Sequence, residues 1–259
     1  MKTTCPLLLL VLFIASCKPF SVIPPGGLET DSQKFYVKGS GVSIIGHELS
    51  LGPVKGRMYS GFSYSHGKEK RLFPIYFDLN KRMNYISNHF AKHIDRSKTK
   101  FHFDLTDGTI HVNSYCLERT TETSLVAKNV GGVNLSEQYE FEALIFSNKN
   151  DDPWRLNLFG RRDIQKGGNY FSNPQNGDGE LTNNRETIAV TVVKADSMRQ
   201  GNSIKKTAFS LPMGYQFVSN GRSLGFIDAF ERSVTIANET DPQTKMILLA
   251  AATCIIAKK

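Results

Sequence analysis

Two histidines and a carboxylate lie within one strongly alternating stretch. His102, Asp104 and His111 flank the dipeptide Asp107-Gly108. The runs Phe101–Thr106 and Thr109–Ser114 alternate apolar and polar residues, and Asp-Gly favours a two-residue hairpin turn of the primed type. Such a turn sets Asp104 opposite His111, with His102 one diagonal away. All three then occupy the face opposite Phe101, Phe103, Leu105, Ile110 and Val112. Two imidazoles and a carboxylate can hold a divalent metal or act as base and orienter. On a solvent-facing sheet the same residues also serve as an ordinary polar pair. His89 and His93 are spaced to meet on a helix, but the glutamate of His-Glu-x-x-His is missing and no third ligand follows at a predictable distance. Asn176-Gly177-Asp178-Gly179-Glu180 offers oxygen ligands without the EF-hand spacing. There is no nucleophile elbow, P-loop or dinucleotide fingerprint. The chain is therefore expected to use no metal or cofactor and to act without catalysis. The alternative is a hydrolytic enzyme with scattered loop residues, around Asp104, His111 and the polar stretch Gly160–Arg185.

The strongest candidate for a binding surface is basic. The net charge is +8, and residues 66–100 supply +6 of it, with nine basic and three acidic side chains. Lys68, Lys70, Arg71, Lys81, Arg82, Lys92, Arg96, Lys98 and Lys100 are interleaved there with Phe73, Tyr76, Phe77, Tyr85 and Phe90. Near an anionic leaflet each such cation adds about 1 kcal/mol of attraction. The expected ligand is anionic lipid or polysaccharide. The same composition also arises when alternating strands simply turn aromatics inward and lysines outward. Basic–aromatic mixtures suit single-stranded nucleic acid too, which is not an expected partner here because of the address at the N-terminus.

That address begins with Lys2 and the short apolar run Leu7–Ile14, the parts of an export signal. The next residues, Ile14-Ala15-Ser16-Cys17, resemble the lipobox of bacterial lipoproteins. The resemblance implies cleavage before Cys17, acylation of that cysteine and a nearly permanent membrane anchor, since several acyl chains each bury many methylenes. Lys18 in the next position implies the outer membrane, by the sorting rule of enterobacterial lipoproteins. Residues 1–16 are thus read as signal, residues 17–33 as acylated cysteine and flexible tether, and 34–259 as one domain. The tether, rich in proline and glycine, spans about 20–24 Å as a coil. Of the four cysteines, Cys5 leaves with the signal, and Cys116 and Cys254 remain either as buried thiols or as a pair.

From Lys34 onward the chain reads as many short strands separated by Gly, Asn, Asp and Ser, which suggests an antiparallel sandwich or barrel. A second hairpin is marked at Asn220-Gly221, between Tyr215–Ser219 and Arg222–Phe226, with Tyr215 and Phe217 expected to face Leu224 and Phe226. The last segment differs in kind. Asp241 and Pro242 are a good N-cap and first helical residue, and twelve residues from Met246 to Ala257 are apolar except Thr253. Apolar on every side, a helix over 242–259 must be buried all round. At about 1.5 Å per residue the apolar run spans about 18 Å, too short for a bilayer core of roughly 30 Å. Burying its six large side chains contributes on the order of 10–18 kcal/mol, and Lys258 and Lys259 suit the negative pole of its dipole.

Strand, Asn-Gly turn, strand, strand and a terminal apolar helix together resemble the tubby C-terminal-like superfamily, which includes tubby domains, LURP-one-related proteins and phospholipid scramblases. The likeness covers about the last forty-five residues. It implies a closed antiparallel β-barrel of about twelve strands around a buried C-terminal helix. It also implies association with membrane lipid, although no headgroup-binding residue of that family maps onto a position here.

Overall fold

A computed structural model describes residues 20–25, 27–39, 46–71, 90–127, 131–163, 177–200 and 203–258. The lipobox and Cys17, together with Lys81, Arg82 and His89, lie outside the described residues.

The chain is mainly β, as the alternation and turn signals predict. Among the described residues thirteen strands run β1 (Phe20–Ser21), β2 (Ser32–Lys38), β3 (His47–Leu51), β4 (Val54–Arg71), β5 (Phe90–Thr106), β6 (His111–Ala127), β7 (Gly131–Ser147), β8 (Asn150–Asp163), β9 (Gly179–Thr182), β10 (Thr187–Gln200), β11 (Ser203–Ser219), β12 (Arg222–Asp228) and β13 (Ser233–Ala237), followed by a helix, α1 (Pro242–Ala257). From β2 to β13 each strand pairs antiparallel with the next, and β13 pairs back onto β2. Twelve strands therefore close a barrel, which leaves no edge along those strands. The two-residue β1 lies outside this circuit, on the end of β10.

Helix α1 fills the barrel. Met246 to Ile255 and Ala257 are all buried, and they join Phe103, Leu105, Phe141, Leu156, Val190 and Phe217 from the walls in one core. The N-cap is Asp241, whose Oδ1 accepts from the N–H groups of Gln243 and Thr244, both at 3.0 Å. At the other end the helix stops at Ala257, two residues before the expected end. Lys258 is extended and only partly exposed. Its ammonium folds back over the rings of Tyr139 and Tyr215, 5.2 and 4.8 Å from their centroids.

The two marked hairpins turn out differently. At Asn220-Gly221 both residues have positive φ, 50° and 76°, and Ser219 pairs with Arg222, so the primed two-residue turn forms as expected. A bulge follows between Phe217 and Val218. It reverses the faces beyond it, so that Ile227 enters the main core and Phe226 faces outward against Val22, Leu28 and Met213. At Asp107-Gly108 the turn is longer. The Asp107 carboxylate accepts from the N–H groups of Thr109 and Ile110 at 2.9 and 2.8 Å, which holds residues 107–110 as the loop. Pairing then starts at Thr106–His111, two residues away from the expected register. The inward face is unchanged by an even shift.

Several expected short strands merge into long ones. Strands β5, β6 and β7 each have 17 residues, and Gly160–Asp163, expected to begin the long polar loop, completes β8. The stretch expected to be a tether is ordered from Phe20 onward where it is described, with Val22 and Leu28 buried on the outside of the barrel.

Candidate functional site: a cationic outer wall

Successive strand residues alternate between the two faces of a sheet. In β5, Phe101, Phe103 and Leu105 are buried against the helix. Lys92, Ile94, Arg96, Lys98, Lys100 and His102 therefore share the outer face. Strand β4 adds to this wall, with Tyr64 opposite Lys98, His66 opposite Arg96 and Lys68 opposite Ile94. From Lys92 to Lys100 the row is about 26 Å long at about 3.3 Å per residue. The five cations Lys68, Lys92, Arg96, Lys98 and Lys100 make no hydrogen bond or ion pair among the described residues.

Charge changes sign across the wall. Arg119 of β6, opposite Lys98, reaches the carboxylates of Glu140 and Glu142 on β7 at 3.5 and 3.3 Å. The row of cations thus lies on β4 and β5, with acidic residues two strands away, at about 10 Å.

Next to Lys100 the wall is hollowed into an open groove of about 890 Å³, within the size range of small-ligand sites. Tyr115, Leu117, Leu144 and Phe159 supply its apolar surface, and Lys100 and Arg155 line it together with the carboxylates of Glu140 and Glu142. Tyr115 and Phe159 are more than half exposed, at 56% and 52%. An aromatic file leads into the groove from β4: Tyr59 stacks on His102 at 4.9 Å and His102 on Tyr115 at 5.8 Å, while Phe146 meets Tyr115 edge-on at 6.0 Å. Sequence reading placed the cations but missed the groove. Its signal was a run of large apolar residues at outward positions of β6–β8, which is visible only once the faces are assigned.

Of the basic residues singled out in the sequence, Lys70 and Arg71 lie at the end of β4 and pair with Lys92 and Ala91. The histidine sites do not form as expected. Asp104 stands opposite Asn113 and His102 opposite Tyr115, whereas the His111 ring meets the Thr106 hydroxyl at 3.3 Å. His93 sits on a strand, not a helix, and its ring nitrogen is 3.0 Å from Asp95. Among the described residues no group of three His, Cys, Asp or Glu could hold a metal. Asp178 is engaged instead by the backbone N–H of Val192, at 2.6 Å.

A second, interior set of polar groups begins where α1 ends. Along the inner faces, Asp95, Glu122, Glu137 and Arg162 align across β5–β8. Arg162 and Glu137 form an ion pair at 2.8 Å. Burial raises the Glu137 carboxyl's pKa, Arg162 opposes this and Glu122 adds to it. Between this layer and the helix, the Lys258 ammonium donates to the Tyr215 hydroxyl at 2.7 Å. Burial depresses the Lys258 pKa to about 8, against the pull of the Glu118 carboxylate. The same burial pushes the Tyr139 and Tyr215 phenols above their ordinary range. The buried Tyr139 hydroxyl lies beside the Glu118 carboxylate, which disfavours its ionisation.

No family model, curated protein or solved structure matches the chain. Among the described residues no helix is long and apolar enough to cross a membrane.

Proposed function

We propose that the chain is a non-catalytic binding module of the bacterial envelope. In this reading it is tethered to the outer membrane through an acylated Cys17 and recognises anionic lipid or polysaccharide on the outer wall of β4–β8. The observation that carries the reading is the row of five cations on a single outward face, none of them paired among the described residues. A folded protein has no structural need for such a row, because like charges so close together repel. The groove beside Lys100 adds apolar surface for the non-ionic part of the same ligand. The lipobox-like Ile14–Cys17 and the resemblance to lipid-associated tubby-like domains agree with a lipid-side location.

The hydrolytic alternative has less support. The hairpin carrying Asp104 and His111 lies at the end of the barrel where α1 begins. There Asp104 stands opposite Asn113 and the His111 ring meets the Thr106 hydroxyl, so the two are not placed as base and orienter.

Protein lacking residues 1–17, so that neither signal nor acyl chain contributes, should float with anionic vesicles at low ionic strength and be released by salt. Neutralising Arg96, Lys98 and Lys100 together should weaken binding by about 3 kcal/mol, roughly a hundredfold, at about 1 kcal/mol per cation. An acidic polysaccharide that competes with the vesicles, or binds where they do not, identifies the other ligand class. Binding to neither at low salt rules the reading out. The anchor has its own test: metabolic palmitate labelling should vanish on Cys17→Ala.

A further inference from the structure

We propose that Cys116 and Cys254 are the two halves of an intramolecular disulfide, formed during folding by exchange with a protein or small-molecule disulfide, that fastens the core helix to the barrel wall. Cys116 points inward from β6, one turn of alternation from Ser114 and Glu118 on the same face. Cys254 lies near the C-terminal end of α1. Their sulfur atoms are 3.2 Å apart across 138 residues of sequence. A disulfide bond is about 2.0 Å long, so the sulfurs need to close by only about 1.2 Å. Each thiol has the other as its only hydrogen-bond partner among the described residues. Nothing else in the site competes for them, since the surrounding side chains belong to the apolar core.

The timing of the bond follows from burial. Cys116 is 4% exposed and Cys254 fully buried, so no oxidant reaches either sulfur once the barrel is closed around the helix. Burial also pushes the Cys116 thiol well above its ordinary pKa, and exchange requires the thiolate. Oxidation must precede closure, while the last element of the chain is still docking. One cysteine, as thiolate, attacks an oxidant R–S–S–R, releases RS⁻ and forms a mixed disulfide. The second cysteine loses its proton and attacks the protein sulfur of that mixed disulfide, releasing the other RS⁻. The sum is two protein thiols plus R–S–S–R giving one protein disulfide and two R–SH, with two electrons passed to the oxidant. The inference stands apart from the anion-binding reading, since it depends only on the geometry of the core.

The test is synthesis of the full chain in a cell-free system buffered by oxidised or by reduced glutathione. Cys5→Ser and Cys17→Ser leave only these two thiols. The soluble fraction is then denatured without reductant, alkylated and mapped by peptide mass. Under oxidising synthesis the peptides holding Cys116 and Cys254 should be joined, and the protein should be lighter by two hydrogen atoms. It should also melt roughly 10 °C higher than the reduced form, as closing so long a loop predicts. The double variant Cys116→Ala/Cys254→Ala should show the same melting temperature in both buffers. Two alkylated thiols in soluble protein made under oxidising conditions would overturn the proposal. So would a joined form that melts no higher than the reduced one. If little stays soluble, the same mapping after refolding from denaturant in each buffer decides between joined and separate peptides.

Discussion

Strand β5 carries two different messages on its two faces. Inward, Phe101, Phe103 and Leu105 are buried against α1, and their identity is fixed by what the helix needs. Outward, Lys92, Arg96, Lys98 and Lys100 have no partner among the described residues, and the fold asks nothing of them beyond solubility. One backbone thus displays a structural face and a face available for recognition. The contrast predicts opposite outcomes for equally drastic substitutions on either side of the wall. The largest should come from the interior. Leu249, fully buried on α1, has wall on every side, so Leu249→Asp leaves a carboxylate with neither water nor a partner. The cost should exceed about 5 kcal/mol, comparable to the whole stability of a typical domain. The expected result is insoluble chain without a cooperative melt by circular dichroism. A soluble, cooperatively folding Leu249→Asp protein would refute the enclosed helix.

The interior face is itself not uniform, and the end of α1 marks the change. Beside the helix the inward residues are mostly apolar, with Ser114 and Glu118 on β6 as buried exceptions; beyond it they become Thr99, Ser97 and Asp95 on β5 and Thr120 and Glu122 on β6. Lys258 stands at the boundary. Its folded pKa of about 8 lies below the ordinary lysine value of about 10.4. Between those two values the unfolded chain holds the proton and the folded one does not, so stability rises with pH across that window. Below about pH 8 the full penalty for burying the charge applies, on the order of 2–3 kcal/mol. Above about pH 10 the sign reverses, because the buried Tyr139 and Tyr215 phenols keep protons that the unfolded chain has released. Chemical denaturation between pH 7 and 10 should therefore show a rising midpoint. Lys258→Met should flatten that rise, and a variant with the same slope as the parent would show that the ammonium is solvated after all.

Sequence alone carried the architecture further than the site. The helix was legible because an all-round apolar run beginning at Asp241-Pro242 has few other solutions, and its demand for walls pointed to closure. The inward face of β5 was legible for a related reason: alternation survives a register error of two residues, as at Asp107-Gly108. What did not survive was the pairing itself. The expected Asp104–His111 contact failed because the Asp107 carboxylate captures two backbone N–H groups and enlarges the loop, a side-chain effect that the dipeptide alone does not reveal. The face of Phe226 was lost in the same way, through a bulge at Val218. The groove at Tyr115, Leu144 and Phe159 joins residues of three strands across the sheet, so no local pattern contains it. Lys258 misled for the opposite reason. A lysine at a helix C-terminus normally meets solvent and the dipole, and here two tyrosine rings cover it.

The helix start offers a smaller test of the same interior. Burial works against ionisation of Asp241, yet the hydrogen bonds from Thr244 and from the N–H groups of Thr244 and Gln243 outweigh it and hold its pKa below the ordinary value. A depressed carboxylate contributes stability that is present above its unfolded pKa and lost as pH falls through the folded one. Asp241→Ala should cost about 1 kcal/mol at neutral pH, read as a lowered denaturation midpoint. The deficit should shrink in acid, where the parent's own cap is protonated. Asp241→Asn, which keeps the accepting oxygen, should recover most of the loss at neutral pH and show less acid dependence.

The smallest effect on stability is the one that decides whether the outer face is a site. If Arg96, Lys98 and Lys100 were merely part of a solvated wall, replacing them with glutamine would alter neither folding nor any interaction. If they are held out for an anion, their mutual repulsion is a cost that the folded state tolerates, and relieving it should leave stability within about 0.5 kcal/mol or raise it slightly. Binding to anionic vesicles or acidic polysaccharide should meanwhile fall together with its salt dependence. Glutamine at Glu140 and Glu142 should have the opposite effect on binding, because removing these carboxylates releases Arg119 and extends the positive strip toward the groove. Tighter, more salt-sensitive binding by Glu140→Gln/Glu142→Gln, with an unchanged melting temperature, would locate recognition on the outer wall. Equal binding by all three proteins would move it elsewhere.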